Sequence, residues 1–122
     1  MKLVKIKGSY TEPGKIKLEN EAEILPTEFS ISQNYPNPFN PTTQIRYAMP
    51  VAGSVTLKIY NTTGQLVRTL MDGIMGEGNH EVQWDATDDY GIQAASGVYF
   101  CMIFVTGPEK NFIKVNKMLL LK

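Results

Sequence analysis

Three aspartates crowd one short segment, Asp85, Asp88 and Asp89 within Trp84-Asp-Ala-Thr-Asp-Asp-Tyr-Gly91. Carboxylates supplemented by backbone carbonyls are what a hard divalent cation such as Ca2+ takes, in sets of about six to eight oxygens. The spacing is not that of an EF-hand loop, because no glutamate follows at the required distance. Aspartate also ends strands by accepting backbone N–H groups in tight turns. The sequence therefore favours a turn, with calcium as a weak candidate ligand of Asp85, Asp88 and Asp89 and no other cofactor or metal expected.

The remaining reactive side chains stand alone. His80, the only histidine, lies beside Glu81 with no second His or Cys at ligand spacing. Cys101, the only cysteine, sits in an apolar run where a thiol behaves as a small hydrophobe, and no base is near it in sequence to activate it. No Gly-rich phosphate loop, Gly-x-Ser-x-Gly turn or His-Glu pair of protease type occurs. Catalysis is not expected. Asn61-Thr62-Thr63 matches a glycosylation sequon, which has meaning only in a eukaryotic secretory setting.

The chain has 122 residues and carries 12 Lys plus Arg against 12 Asp plus Glu, a formal net charge of zero. That length suits one domain burying roughly 65–70% of its unfolded surface. A balanced charge gives no electrostatic footprint for a phosphate backbone, so nucleic acid is not an expected partner. One cysteine allows no internal disulfide. The opening Met1–Lys7 alternates charged and apolar residues instead of forming the apolar run of a signal peptide. The longest apolar stretch, Val98–Val105, ends at Gly107-Pro108 and is far shorter than the ~20 residues of a membrane span. The reading is a soluble monomer.

Short strands must position these residues. Residues 1–25 hold two alternating runs, Leu3–Lys7 and Lys15–Leu18, about a Pro13-Gly14 turn; they read as a small hairpin or a linker, or the remnant of a preceding domain. From residue 26 to 122, Gly, Pro and Asn punctuate runs of period-two alternation. Strands are expected at Phe29–Ile31, Gln44–Ala48, Val55–Tyr60, Gln65–Met71, His80–Asp85, Val98–Val105 and Phe112–Leu121. Ile45 with Tyr47, Val55 with Leu57 and Ile59, and Val82 with Trp84 should point inward, the lone Trp84 into the core. Val98–Val105 is apolar on both faces and should be a central strand covered on both sides. Pro36, Pro38 and Pro41 require an extended or turning segment, read as a rigid connector capping the sandwich with Tyr35 and Phe39. Seven strands without a competing helical period predict an all-β, seven-stranded immunoglobulin-like antiparallel β-sandwich.

Over Leu25–Lys122, some 98 of the 122 positions, the sequence also carries an ordered set of motifs. Phe29-Ser-Ile-Ser-Gln-Asn-Tyr-Pro-Asn-Pro-Phe-Asn-Pro-Thr-Thr-Gln-Ile45 closely resembles the opening of the type A C-terminal sorting domains of the Por, or type IX, secretion system of Bacteroidetes-like bacteria. Val55–Val67, Gly78–Asp85, Ser96–Phe100 and the basic-ended Lys117-Met-Leu-Leu-Leu-Lys122 are similar to that family's later signatures, in the same order. The stretch Trp84–Gly91 followed by Ser96–Tyr99 also resembles the Ig-like module of flagellar hook-capping proteins, which lacks the Asn34–Thr43 opening.

The first resemblance implies a non-catalytic C-terminal sorting signal that takes an upstream passenger through the periplasm and across the outer membrane, for release or surface attachment. Its implied partners are the outer-membrane secretion translocon and sorting machinery. Its implied recognition residues are Gly97, Tyr99, Lys117 and Lys122. For Gly97 and Tyr99, folding of the sandwich already gives sufficient reason, whereas the apolar and basic last strand is not explained by folding alone. The rival reading is an accessory Ig-like binding or structural module, carbohydrate-enzyme-associated or hook-cap-like. A polysaccharide-binding face would need a line of exposed aromatics, and Tyr60, Tyr90 and Tyr99 are too scattered to form one.

Overall fold

The computed structural model describes residues 25–122, so the expected runs at Leu3–Lys7 and Lys15–Leu18 lie outside the described residues. Seven strands form there: β1 (Ser30–Ile31), β2 (Thr43–Met49), β3 (Gly53–Tyr60), β4 (Leu66–Met75), β5 (Gly78–Trp84), β6 (Gly97–Thr106) and β7 (Asn111–Leu120). They make two antiparallel sheets, one ordered β1-β2-β5 and the other β4-β3-β6-β7. No helix is present among the described residues.

Alternation drives the packing. In a strand every second side chain faces the same way, and Ile45, Tyr47 and Met49 of β2 meet Val55, Leu57 and Ile59 of β3 and Tyr99, Cys101, Ile103 and Val105 of β6 in one buried cluster. Trp84, fully buried, anchors one end of it. The indole packs at 5.5 Å from the Phe39 ring and at 5.3 Å, edge-on, from Tyr99, and its N–H donates to the Thr87 carbonyl at 2.9 Å. Val82, expected inward, is only half-buried because β5 is the outer strand of the smaller sheet.

Two expectations need correction. Strand β6 is central within its sheet, between β3 and β7, but nothing among the described residues covers its second face. Phe100 and Met102 are half-exposed there and Phe104 is exposed, so the doubly apolar pattern reports one buried and one open face. In the proline segment Phe39 enters the core, whereas Tyr35 is 80% exposed and caps nothing. The Tyr35 backbone instead forms a two-way bridge with Gln44, which turns its side chain outward.

The Asn61–Gly64 turn between β3 and β4 forms as its composition dictates. The Asn61 side-chain oxygen accepts the N–H groups of Thr63 and Gln65 at 3.1 and 2.9 Å, and Gly64 holds φ at +85°, a region that costs other residues strain.

Candidate functional site

Edge strands offer unpaired backbone groups to any passing strand, and natural sheets cover them. In the four-stranded sheet the two edges, β4 and β7, are each covered along part of their length by the two segments singled out in the sequence, the aspartate loop and the proline-rich opening.

At the β4 edge, Asp89 donates its N–H to the Val67 carbonyl at 2.9 Å and accepts the Thr69 N–H on its carboxylate at 3.0 Å. The Asp88 carboxylate accepts from Tyr90 and Ile92, both at 2.9 Å, closing the turn that follows. The Asp85 carboxylate accepts the Thr87 hydroxyl and N–H. Among these acceptors lies Arg68, which donates to Thr87 and to the Asp88 carbonyl and faces Asp85 at 3.5 Å and Asp89 at 3.9 Å. The Thr87 hydroxyl, with the Thr87 N–H and the Arg68 charge assisting, holds Asp85 below the usual carboxylate pKa. The stability that follows from this is present above the ordinary carboxylate pKa and is lost as the pH falls through the depressed one.

Sequence inspection brings the three aspartates together but misses Arg68, whose partners lie 17 to 21 positions away along the chain. Its guanidinium lies against the carboxylates of Asp85 and Asp89, whereas the Asp88 carboxylate is engaged by the Tyr90 and Ile92 N–H groups. Among the described residues no group of three or more His, Cys, Asp or Glu side chains is arranged to hold a metal ion. Calorimetric titration is expected to give no calcium binding in the micromolar range or tighter. A micromolar dissociation constant would require Arg68 to swing out of the loop.

The β7 edge is covered differently. Phe39 donates its N–H to the Leu119 carbonyl at 3.0 Å and accepts from the Leu121 N–H at 3.1 Å, running parallel to β7. The Asn37 side chain accepts the Leu119 N–H at 3.0 Å, and Gln33 donates to the Lys117 carbonyl at 2.7 Å. A buried polar knot fixes the segment that makes these bonds. Asn34 donates to the Thr43 hydroxyl at 2.9 Å and to the Pro36 carbonyl at 3.1 Å, and Thr43 donates to the same carbonyl at 2.8 Å. Both side chains are buried and satisfied, as a folded interior requires.

The four residues implicated by family resemblance meet at this end of the β6–β7 ladder, where Gly97 pairs with Leu120, Tyr99 with Met118 and Phe100 with Lys117. Gly97 has φ of +151°, so its backbone alone demands glycine. Tyr99 is buried, donates its hydroxyl to the Ala95 carbonyl at 2.6 Å and titrates above an ordinary tyrosine because of that burial. Only Lys117 and Lys122 present side chains to solvent, and the Lys122 N–H is tied to the Ser96 hydroxyl at 3.0 Å.

Neither of the isolated reactive groups gains a partner that would activate it. Cys101 is buried and its thiol is pushed up to about 12 by desolvation, so it stays protonated at neutral pH. His80 donates to the Gly76 carbonyl at 2.7 Å and stacks on Tyr47 at 5.3 Å.

Two antiparallel sheets closed over a shared aromatic and aliphatic core, with these edge covers, define an immunoglobulin-like β-sandwich. A family model described as the FlgD Ig-like domain matches residues 41–104, more than half of the chain, and the chain belongs to that family. Solved structures of similar fold include dimeric latent PorU from Porphyromonas gingivalis, 22% identical with a TM-score of 0.62 over 77% of this chain and 9% of that one. FlgD from P. aeruginosa is 21% identical with a TM-score of 0.52, over 64% of this chain and 61% of that one. FlgD from Xanthomonas campestris, described in connection with hook capping in flagellar assembly, is 21% identical with a TM-score of 0.51, over 84% and 72% of the two chains. At these identities the likeness is one of fold. This chain thus spans a small part of PorU and about three-fifths of the Pseudomonas FlgD. No curated protein matches it.

Proposed function

We propose that this domain is a non-catalytic sorting module that directs an upstream passenger through the periplasm and across the outer membrane, and that its reading surface is the end of β7 with the segment zipped to it. One observation carries the reading. The Asn34–Thr43 opening, which sets the sorting-domain resemblance apart from the hook-cap module, begins ahead of the matched span 41–104, and with Gln33 beside it bonds directly to the Lys117–Lys122 terminus through Phe39, Asn37 and Gln33. Two distant pieces of sequence thereby make a single patch with Lys117 and Lys122 exposed at it.

The test is a fusion of the full chain behind a passenger that carries its own N-terminal signal peptide, expressed in a host with a working type IX system and fractionated. Surface or medium delivery is expected. Retention in the periplasm, while an established sorting domain on the same passenger is delivered, would overturn the proposal. Point changes then separate recognition from folding. Lys117→Ala with Lys122→Ala should leave unfolding free energy within ~0.5 kcal/mol of the parent, as exposed substitutions usually do, and should still reduce delivery.

A hook-cap-like structural role is the second reading, favoured by the family match across β2 to β6. It predicts that the lysine pair is without consequence for location and that the passenger stays where its signal peptide leaves it.

A further inference from the structure

The cover over β7 is incomplete. Leu119 turns both its N–H and its C=O to the free edge, and Lys117 turns its C=O there. Since the backbone groups of a strand alternate in direction, Val115 and Ile113 point theirs the same way. Among the described residues, none of the edge-facing groups of Ile113 and Val115 has a partner. The covering segment diverges at Ser32, whose carbonyl takes only the Asn116 side chain.

The side chains beside this open stretch form an ordered grid. On the outer face of the sheet Phe104 pairs with Ile113 and Met102 with Val115, while on the other side of β6 they pair with Thr56 and Lys58 of β3. Ile113 is 61% and Val115 51% exposed, a contiguous apolar strip at a strand edge where soluble domains usually place charge. The opposite face of the same stretch carries Lys114, with Lys110 in the preceding turn. From Gly107 to Lys122 the chain holds four lysines and one acidic residue, Glu109, although the whole protein is neutral.

An open edge, an apolar outer strip and a basic inner side together specify their complement. We propose that the Asn111–Val115 edge of β7 is a strand-addition site for an extended polypeptide segment of a partner, one that alternates apolar and acidic residues. Backbone pairing with Ile113 and Val115 would supply affinity, as in other edge-added strands. The apolar residues would extend the strip of Phe104, Met102, Ile113 and Val115, and the acidic ones would face Lys114. The inference rests on the sorting role only for who supplies the strand, namely a component of the secretion machinery.

The probe is a synthetic peptide alternating glutamate and valine, set against one in which lysine replaces glutamate, each titrated into the full chain and followed by amide hydrogen exchange and NMR. The glutamate peptide should slow exchange at Ile113 and Val115 at least tenfold and leave β4 unchanged, and the lysine peptide should do neither. Lys114→Glu should weaken the glutamate peptide at least tenfold. Ile113→Pro removes an edge N–H that the β6 ladder does not use, a substitution edge strands tolerate, and should abolish binding with the remaining β6–β7 amides still protected. If that variant unfolds, Lys114→Glu decides alone. The proposal fails if the peptide does not bind at millimolar concentration, if it perturbs β4 instead, or if Lys114→Glu binds it unchanged. It also fails if Ile113 and Val115 are already protected without peptide. Protection independent of concentration would mean that another part of the same chain fills the edge, and concentration-dependent protection would mean a second copy. Because the readout uses purified protein, its failure leaves the passenger assay intact, and failure of that assay leaves this site standing.

Discussion

Replacing Trp84 by alanine is expected to lower the unfolding free energy by about 3–5 kcal/mol, the usual cost of emptying a large aromatic site in a core that relaxes only partly. Three losses combine in it. The fully buried indole leaves a cavity against Phe39 and Tyr99. Its N–H no longer satisfies the Thr87 carbonyl. Phe39, deprived of its aromatic neighbour, holds the covering segment on Leu119 less firmly. Chemical denaturation of parent and variant measures the total, and a change below 1 kcal/mol would mean that the ring is replaceable by local collapse. Trp84→Phe should recover most of the packing and none of the hydrogen bond.

Removing Val115–Lys122 should abolish both the fold and delivery of a fused passenger. The deletion takes away Met118 and Leu120, each essentially unexposed, at about 2–5 kcal/mol apiece for such truncations. It also removes the ladder that β6 shares with β7 from Gly97 to Met102 and strips the partners of Phe39, Asn37 and Gln33. Against a typical total stability of ~5–15 kcal/mol, that combination leaves little net folding free energy. Loss of the far-ultraviolet strand signal, with the passenger in the periplasm, is the expected result. A truncated domain that remains folded and is still delivered would remove β7 from the mechanism. Because this variant confounds the two causes, the lysine pair is its necessary companion.

Period-two alternation makes all seven strands legible, since each has one face in a shared core. The limits of that signal are physical. Strand β4 runs on to Met75, four residues beyond its expected end, because Asp72 and Gly73 read locally as turn residues whereas their pairing with Thr56 and Val55 is decided across the sheet. Apolar side chains on the second face of β6 mark an open surface, and composition alone cannot tell it from a covered one. The aspartate loop shows the same limit at the candidate site. Residue types there allow either a cation or a turn, and Arg68, which lies against Asp85 and Asp89, comes from another strand. Likewise the zipping of Phe39 onto Leu119 joins positions some 80 residues apart.

The parallel run of the covering segment along β7 has a mechanical consequence. The chain passes Phe29, stacked on Phe112 at the start of β7, and then advances beside that strand to Phe39, next to Leu120 near its finish. The two places where polypeptide leaves the sandwich, before Phe29 and after Leu120, therefore sit at opposite poles, separated by the length of a ten-residue strand, ~33 Å. A pull applied between those poles drives the segment one way and β7 the other along a common axis. The bonds of Phe39, Asn37 and Gln33 to β7 are then loaded in shear, all at once, instead of being peeled one after another. Such a pull would meet its greatest resistance at this seam, which makes the clasp between the proline-rich segment and the last strand the point where traction on the domain is borne.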